Sequence, residues 1–138
     1  MKRLELLDTT LRDGAQAEGI SFSVHDKLVI VETLDDLGIP LIEAGNPGSN
    51  PKDLAFFEAV AAQPLKQARI AAFGATCRPK LAPADDANLQ SLLQAGTGVV
   101  VIFGKSWSLH VTEVLRTTLA ENLRIIRDTV AWLKGQGK

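Results

Sequence analysis

Four times along this chain a short apolar run is followed by a stretch whose apolar residues recur at helical spacing. The runs lie at about Arg3–Asp8, Leu41–Ala44, Arg69–Phe73 and Gly98–Phe103, the last being the richest in β-branched residues. After the first, Ser23 is placed to cap a helix with Leu28, Ile30, Val31, Leu34 and Leu37 as its stripe, and Gly38 ends it. After the second, Asn50 and Pro51 are a natural N-cap and first residue for a helix burying Leu54, Phe56, Phe57 and Val60. A third helix is predicted over Asp86–Gln94, with Leu89, Leu92 and Leu93 apolar. A fourth is predicted over Thr112–Lys134, with Leu115, Leu119, Leu123, Ile126, Val130 and Leu133 as its stripe. Strands alternating with helices predict an α/β fold of parallel strands joined by right-handed crossovers. No linker composition interrupts the rhythm, so residues 1–138 are expected to belong to one domain.

The balance of charge narrows the partners. Fifteen basic and 16 acidic residues leave a net charge of −1, which gives nucleic acid or an anionic membrane no electrostatic reason to bind. No apolar run approaches the ~20 residues that span a bilayer. Asp8 and Arg12 interrupt anything resembling a secretory leader. Cys77 is the single cysteine and cannot form an internal disulfide. A cytoplasmic protein is expected.

In parallel α/β folds, ligands bind beyond the carboxyl ends of the strands. Here those ends carry Thr9, Arg12, Asp13 and Gln16; then Glu43, Gly45 and Asn46; then Gly74, Thr76 and Arg78; then Gly104, Lys105, Ser106 and His110. The loops at the opposite ends are small and bland. The densest stretch is Asp8-Thr9-Thr10-Leu11-Arg12-Asp13-Gly14-Ala15-Gln16, which holds more charge than a strand-to-helix turn requires. Asp13 offers oxygens to a hard divalent cation; alternatively it stabilises a turn by pairing with Arg12. Arg12 suits a carboxylate or a developing oxyanion, or else is a surface arginine. Glu43 is either a partner for Arg12 or a solvated strand-end acid. Thr76 and Arg78 are substrate-binding candidates beyond the third strand. His-x-His, Walker A, GxGxxG and GxSxG patterns are absent.

These residues carry a resemblance. LLDTTLRDGAQAEGISFSVHDK is similar to the opening of the α-isopropylmalate, homocitrate and citramalate synthase family, which also includes HMG-CoA lyase. NPGSNPKD, IAAFGATCRP, VVIFGKSWSLHVTEVLRTTLAENL and IRDTVAWLK resemble its citramalate synthase branch, so the likeness runs the length of the chain. It implies a TIM-barrel metal site with Asp13 as a ligand of a divalent cation (Mg, Mn or Zn). It also implies Arg12 as the catalytic arginine and a substrate contact, Gln16 as a substrate contact in the lining, and Glu43, the acid near the site, as a second catalytic candidate. The implied chemistry condenses acetyl-CoA with a 2-keto acid, pyruvate in the citramalate branch, with isopropylmalate and homocitrate synthesis as related outcomes. The family's His-x-His metal ligands have no counterpart here. The branch commonly has tryptophan where Asn46 stands and arginine where Cys77 stands. The chain is therefore expected to be a (βα)4 half of a TIM (β/α)8 barrel, inactive alone, with open sheet edges that favour a homo-oligomer or a complementary chain. A non-catalytic half-barrel is the reading from another class. A haloacid-dehalogenase-like phosphatase is a third, and Thr10 occupies the place where its second acid is needed.

Overall fold

The computed structural model describes residues 4–138. Four strands, β1 (Leu7–Asp8), β2 (Leu41–Glu43), β3 (Arg69–Ala75) and β4 (Val99–Phe103), form one parallel sheet in the order β1-β2-β3-β4. Chain neighbours are sheet neighbours, so every crossover steps the same way. Right-handed crossovers then place α1 (Val24–Asp36), α2 (Pro51–Val60), α3 (Ala87–Gln94) and α4 (Leu119–Gly135) on one face. That is a singly wound half-barrel rather than a doubly wound sheet. Among the described residues, no helix is long and apolar enough to cross a membrane.

Strand alternation divides the sheet's two faces. Ile42, Ala44 and Ala72 turn toward the helices and are buried with Val31, Phe56, Phe57, Leu89 and Leu92. The intervening residues, Glu43, Phe73, Val101 and Phe103 among them, lie on the inner face. The expected Arg3–Asp8 strand enters the ladder only at Leu7–Asp8, because Leu7 pairs with Leu41, the first residue of β2. Arg3 itself lies outside the described residues.

Local chemistry starts α1 and α2 where the sequence places them. The Ser23 hydroxyl accepts from the Asp26 N–H while the Asp26 carboxylate accepts from the Ser23 N–H, a reciprocal cap. The Asn50 side chain accepts from the Lys52 N–H, with Pro51 in the first turn. At the bland end of the sheet, the buried Asp35 carboxylate accepts from the Lys66, Gln67 and Ala68 N–H groups and pins the loop into β3. Those bonds, the one from Lys66 foremost, hold its carboxyl below the usual range. Leu37, expected in the α1 stripe, is exposed: it caps the helix instead of packing.

The fourth helix departs most from expectation. Thr112–Lys134 is not continuous. A π-helical turn covers His110–Val114, Arg116 takes a positive φ of 52°, and α4 begins only after Thr118, whose hydroxyl accepts from the Glu121 N–H. Two β-branched threonines, Thr117 and Thr118, and the Thr118-x-x-Glu121 spacing favour a cap over a continuing helix. The buried face is also rotated. Asn122, Ile125, Thr129 and Leu133 point inward, whereas Leu119, Leu123 and Val130 are exposed. The two polar residues go inside because loop backbone needs partners there. The Asn122 amide donates to the Lys105 carbonyl at 2.9 Å, and the Thr129 hydroxyl accepts from the Cys77 N–H at 3.0 Å.

Candidate active site

The loop leaving β1 folds around one carbonyl. The N–H groups of Arg12, Asp13 and Gly14 all donate to Thr9 O at 2.8–3.1 Å, and the Asp8 carboxylate accepts from Thr10 N–H and hydroxyl at 3.0 Å each. Leu11 is driven into the core, which turns its neighbour Arg12 the other way, over the inner face. There the Arg12 Nε–H donates to Glu43 Oε1 at 2.5 Å, and its guanidinium lies 4.2 Å from the centre of the Phe73 ring. One Nη1–H reaches Asp13 Oδ1 at 3.0 Å. Glu43 is 1% exposed, and a buried carboxylate without a cation is costly. Arg12 is that cation. Its remaining N–H groups have no partner among the described residues.

Those groups border a cavity of about 410 Å³ between the β1–α1 and β2–α2 loops. Gln16, Asn46 and Ser49 line it with polar atoms, and Ile20, Phe22 and Phe73 supply apolar wall. A cationic, donor-rich corner beside apolar surface suits a small carboxylate or oxyanion carrying a short hydrocarbon part.

The structure brings together Arg12, Asp13, Gln16 and Glu43. Asp13 stands at the open rim with its side chain 65% exposed, and the Gln16 N–H donates to its carbonyl at 3.0 Å. Thr76 and Arg78 are placed apart from the cavity lining. The Thr76 N–H extends the ladder to Phe103 O, and the Arg78 backbone N–H donates to the Asp86 carboxylate at 2.8 Å. Asp86 is fully buried as the cap of α3. Burial alone would push its carboxyl up, but N–H donors from Arg78, Asn88 and Leu89 outweigh it and hold the carboxyl low. His110 stacks edge-on against the exposed Trp107, ring centres 4.7 Å apart, while Cys77 is buried in the core.

Two residues of the cavity wall escape a local reading of the sequence. Lys27 is only 4% exposed; its Nζ donates to Ala44 O at 3.0 Å and to Asp53 Oδ1 at 2.6 Å. The signal was its phase: Lys27, Val31 and Asp35 follow one another at four-residue steps on the buried face of α1.

A divalent cation needs several ligands. Among the described residues, no group of three or more His, Cys, Asp or Glu side chains could hold a metal ion. Asp13 offers one carboxylate at the rim, so these residues do not by themselves make a complete metal site.

A family model described as HMGL-like matches residues 3–138. The chain belongs to the HMGL-like family. Within it, the (R)-citramalate synthase of Synechocystis sp. is 59% identical over 135 residues, 98% of this chain and 25% of that protein. The (R)-citramalate synthase of Geobacter sulfurreducens is 54% identical over 134 residues, 97% of this chain and 25% of that protein. This HMGL-like chain thus spans about a quarter of the length of the curated relatives it matches. The crystal structure of hydroxymethylglutaryl-CoA lyase from Pseudomonas aeruginosa superposes with a TM-score of 0.71 at 20% identity, covering 99% of this chain and 44% of that one. The four βα units are half of a TIM barrel, as the sequence led us to expect.

Proposed function

We propose that this chain forms the Arg12 side of the site of a citramalate-synthase-like enzyme, which condenses acetyl-CoA with a 2-keto acid, pyruvate foremost. The observation that carries the reading is the Arg12 guanidinium, fixed by Glu43 and Phe73 with donors left over at a small cavity. The identity of 49–59% to five (R)-citramalate synthases supports it. In this reading Arg12 binds the keto-acid carboxylate or stabilises the charge that develops on oxygen as the new carbon–carbon bond forms. Glu43 orients Arg12, and Gln16 contacts substrate. Asp13 contributes one ligand to a divalent cation (Mg, Mn or Zn) whose other ligands come from outside these residues. Thr76 and Arg78, just beyond β3 and outside the lining of this cavity, contact substrate from the neighbouring strand end. Taken by itself, the chain self-associates as a homo-oligomer or pairs with a complementary chain through the sheet edge at β4.

The test is free-thiol release from acetyl-CoA plus pyruvate with Mg2+ or Mn2+. The chain alone is expected to show no turnover. A hybrid in which it replaces the matching 135 residues of the Synechocystis (R)-citramalate synthase is expected to turn over, and Arg12→Lys in that hybrid to abolish it. A folded hybrid without CoA release, or one indifferent to Arg12→Lys, refutes the reading.

A further inference from the structure

The Lys27–Asp53 pair joins three elements at one carboxylate. Lys27 comes from α1, Asp53 from the first turn of α2, and both grip the end of β2. Lys27 Nζ holds the Ala44 carbonyl at 3.0 Å and Asp53 Oδ1 at 2.6 Å, 5.2 Å from the Phe56 ring centre. Asp53 Oδ2 accepts from the Asn46 N–H at 2.9 Å. Gly45, between the two gripped residues, has φ +145°, and a Cβ there would lie 2.7 Å from Asp53 Oδ2. Asn46 begins the loop that forms the cavity wall across from Arg12, and its own Oδ1 accepts from the Gly48 N–H.

Stability alone does not account for this arrangement. An ion pair this buried is commonly replaced by apolar side chains at little or no loss of stability. What apolar side chains cannot reproduce is the direction of the bonds, and every one that leaves the pair lands on backbone flanking Gly45. We infer that Lys27 and Asp53 are positioning residues: they hold the Gly45–Asn50 loop so that Asn46 sets the distance across the cavity to Arg12. Ligand fit in the cavity then depends on the pair, although Arg12 and Gln16 make the polar contacts. This rests on the cavity being the keto-acid site proposed above.

Two measurements separate the inference from that reading. The first is hydrogen exchange at the Asn46 amide in the chain itself. In Lys27→Met/Asp53→Leu, thermal stability is expected to stay within a few degrees while Asn46 protection falls roughly tenfold, the equilibrium equivalent of one hydrogen bond. Asp53→Asn, which keeps an oxygen for the Asn46 N–H, is expected to retain most of the protection and serves if the double variant does not fold. The second is steady-state kinetics in the hybrid, where the double variant is expected to raise KM for pyruvate about tenfold with kcat within about threefold. Parental Asn46 protection in the double variant, loss of protection in Asp53→Asn equal to global destabilisation, or an unchanged KM overturns the inference. An inactive parent hybrid together with lost Asn46 protection supports the clamp and overturns the functional reading.

Discussion

Replacing Gly45 with alanine isolates the clamp in one atom. The φ of +145° is a conformation that L side chains rarely adopt, and holding a non-glycine residue there costs about 1–3 kcal/mol. The new Cβ would meet the Asp53 carboxylate at 2.7–3.1 Å, closer than van der Waals contact allows. A free side chain would swing away. Asp53 is held by Lys27 and by the Asn46 N–H, so moving it weakens a charge-assisted bond to a nearly buried group, about 1.5–3 kcal/mol. The sum is about 2.5–6 kcal/mol, which at about 4 °C per kcal/mol lowers Tm by about 10–24 °C. Gly96→Ala is the control. Its φ is also positive, at +69°, but a Cβ there meets nothing within 4 Å, so only the left-handed backbone penalty of about 1–2 kcal/mol applies. Thermal melts by circular dichroism compare the two, and Gly45→Ala in an Asp53→Ala background removes the clash while leaving the backbone penalty. A Gly45→Ala shift no larger than that of Gly96→Ala, or strict additivity with Asp53→Ala, refutes the reasoning.

Arg12→Met strands the buried Glu43 and is expected to cost about 3–5 kcal/mol in urea unfolding, whereas Asp13→Asn, at an exposed rim site, changes stability by less than about 1 kcal/mol; equal effects would dissolve the distinction between the two residues. The Asp86 carboxyl is held low in the folded state, so its contribution is present above the unfolded value of about 3.9 and is lost as pH falls through the lower folded value. Unfolding free energy is therefore expected to be flat near neutrality and to drop below about pH 4, and Asp86→Asn to reduce that slope by up to about 1.4 kcal/mol per pH unit; an unchanged slope counts against the Asp86 cap. With Val101 half-buried and Phe103 exposed on β4, sedimentation at micromolar concentration is expected to show self-association, which Val101→Lys reduces; a stable monomer refutes it.

What could be read from sequence was local. Ser23 and Asn50-Pro51 start their helices where capping chemistry places them, and β3 and β4 follow from β-branched and small apolar runs. The break before α4 was written as Thr118-x-x-Glu121, but a sustained apolar period concealed it. The rotation of α4 was not legible, because it is decided by the Lys105 carbonyl and Cys77 N–H, backbone groups remote in sequence that need Asn122 and Thr129. The same applies to the site. That Arg12, Asp13, Gln16 and Glu43 lie near one another was legible because three share one loop and the fourth ends the neighbouring strand. Lys27 and Asp53 were missed because 26 residues separate the partners and a lysine in a helical stripe ordinarily reads as solvated.

Adjacent in sequence, Arg12 and Asp13 are held in different ways. The fold needs Arg12: Glu43 is buried at the carboxyl end of β2 on the inner face, and Arg12 is the cation that satisfies it. Its orientation is therefore set during folding by Glu43 and Phe73, with donors toward the cavity already in place, which is the condition for binding an anion without reorganisation. Asp13 is needed by nothing in the core. Among the described residues its one side-chain partner is Arg12, and its exposure leaves oxygen available at the rim. A ligand shared between them would meet a rigid cation and an adjustable carboxylate, so a change at Glu43 would disturb anion binding before it disturbed anything bound at Asp13. Glu43→Gln, which keeps an acceptor for Arg12 but removes the charge, is thus the variant that separates orientation of Arg12 from its electrostatics: orientation survives it, and the buried charge balance does not.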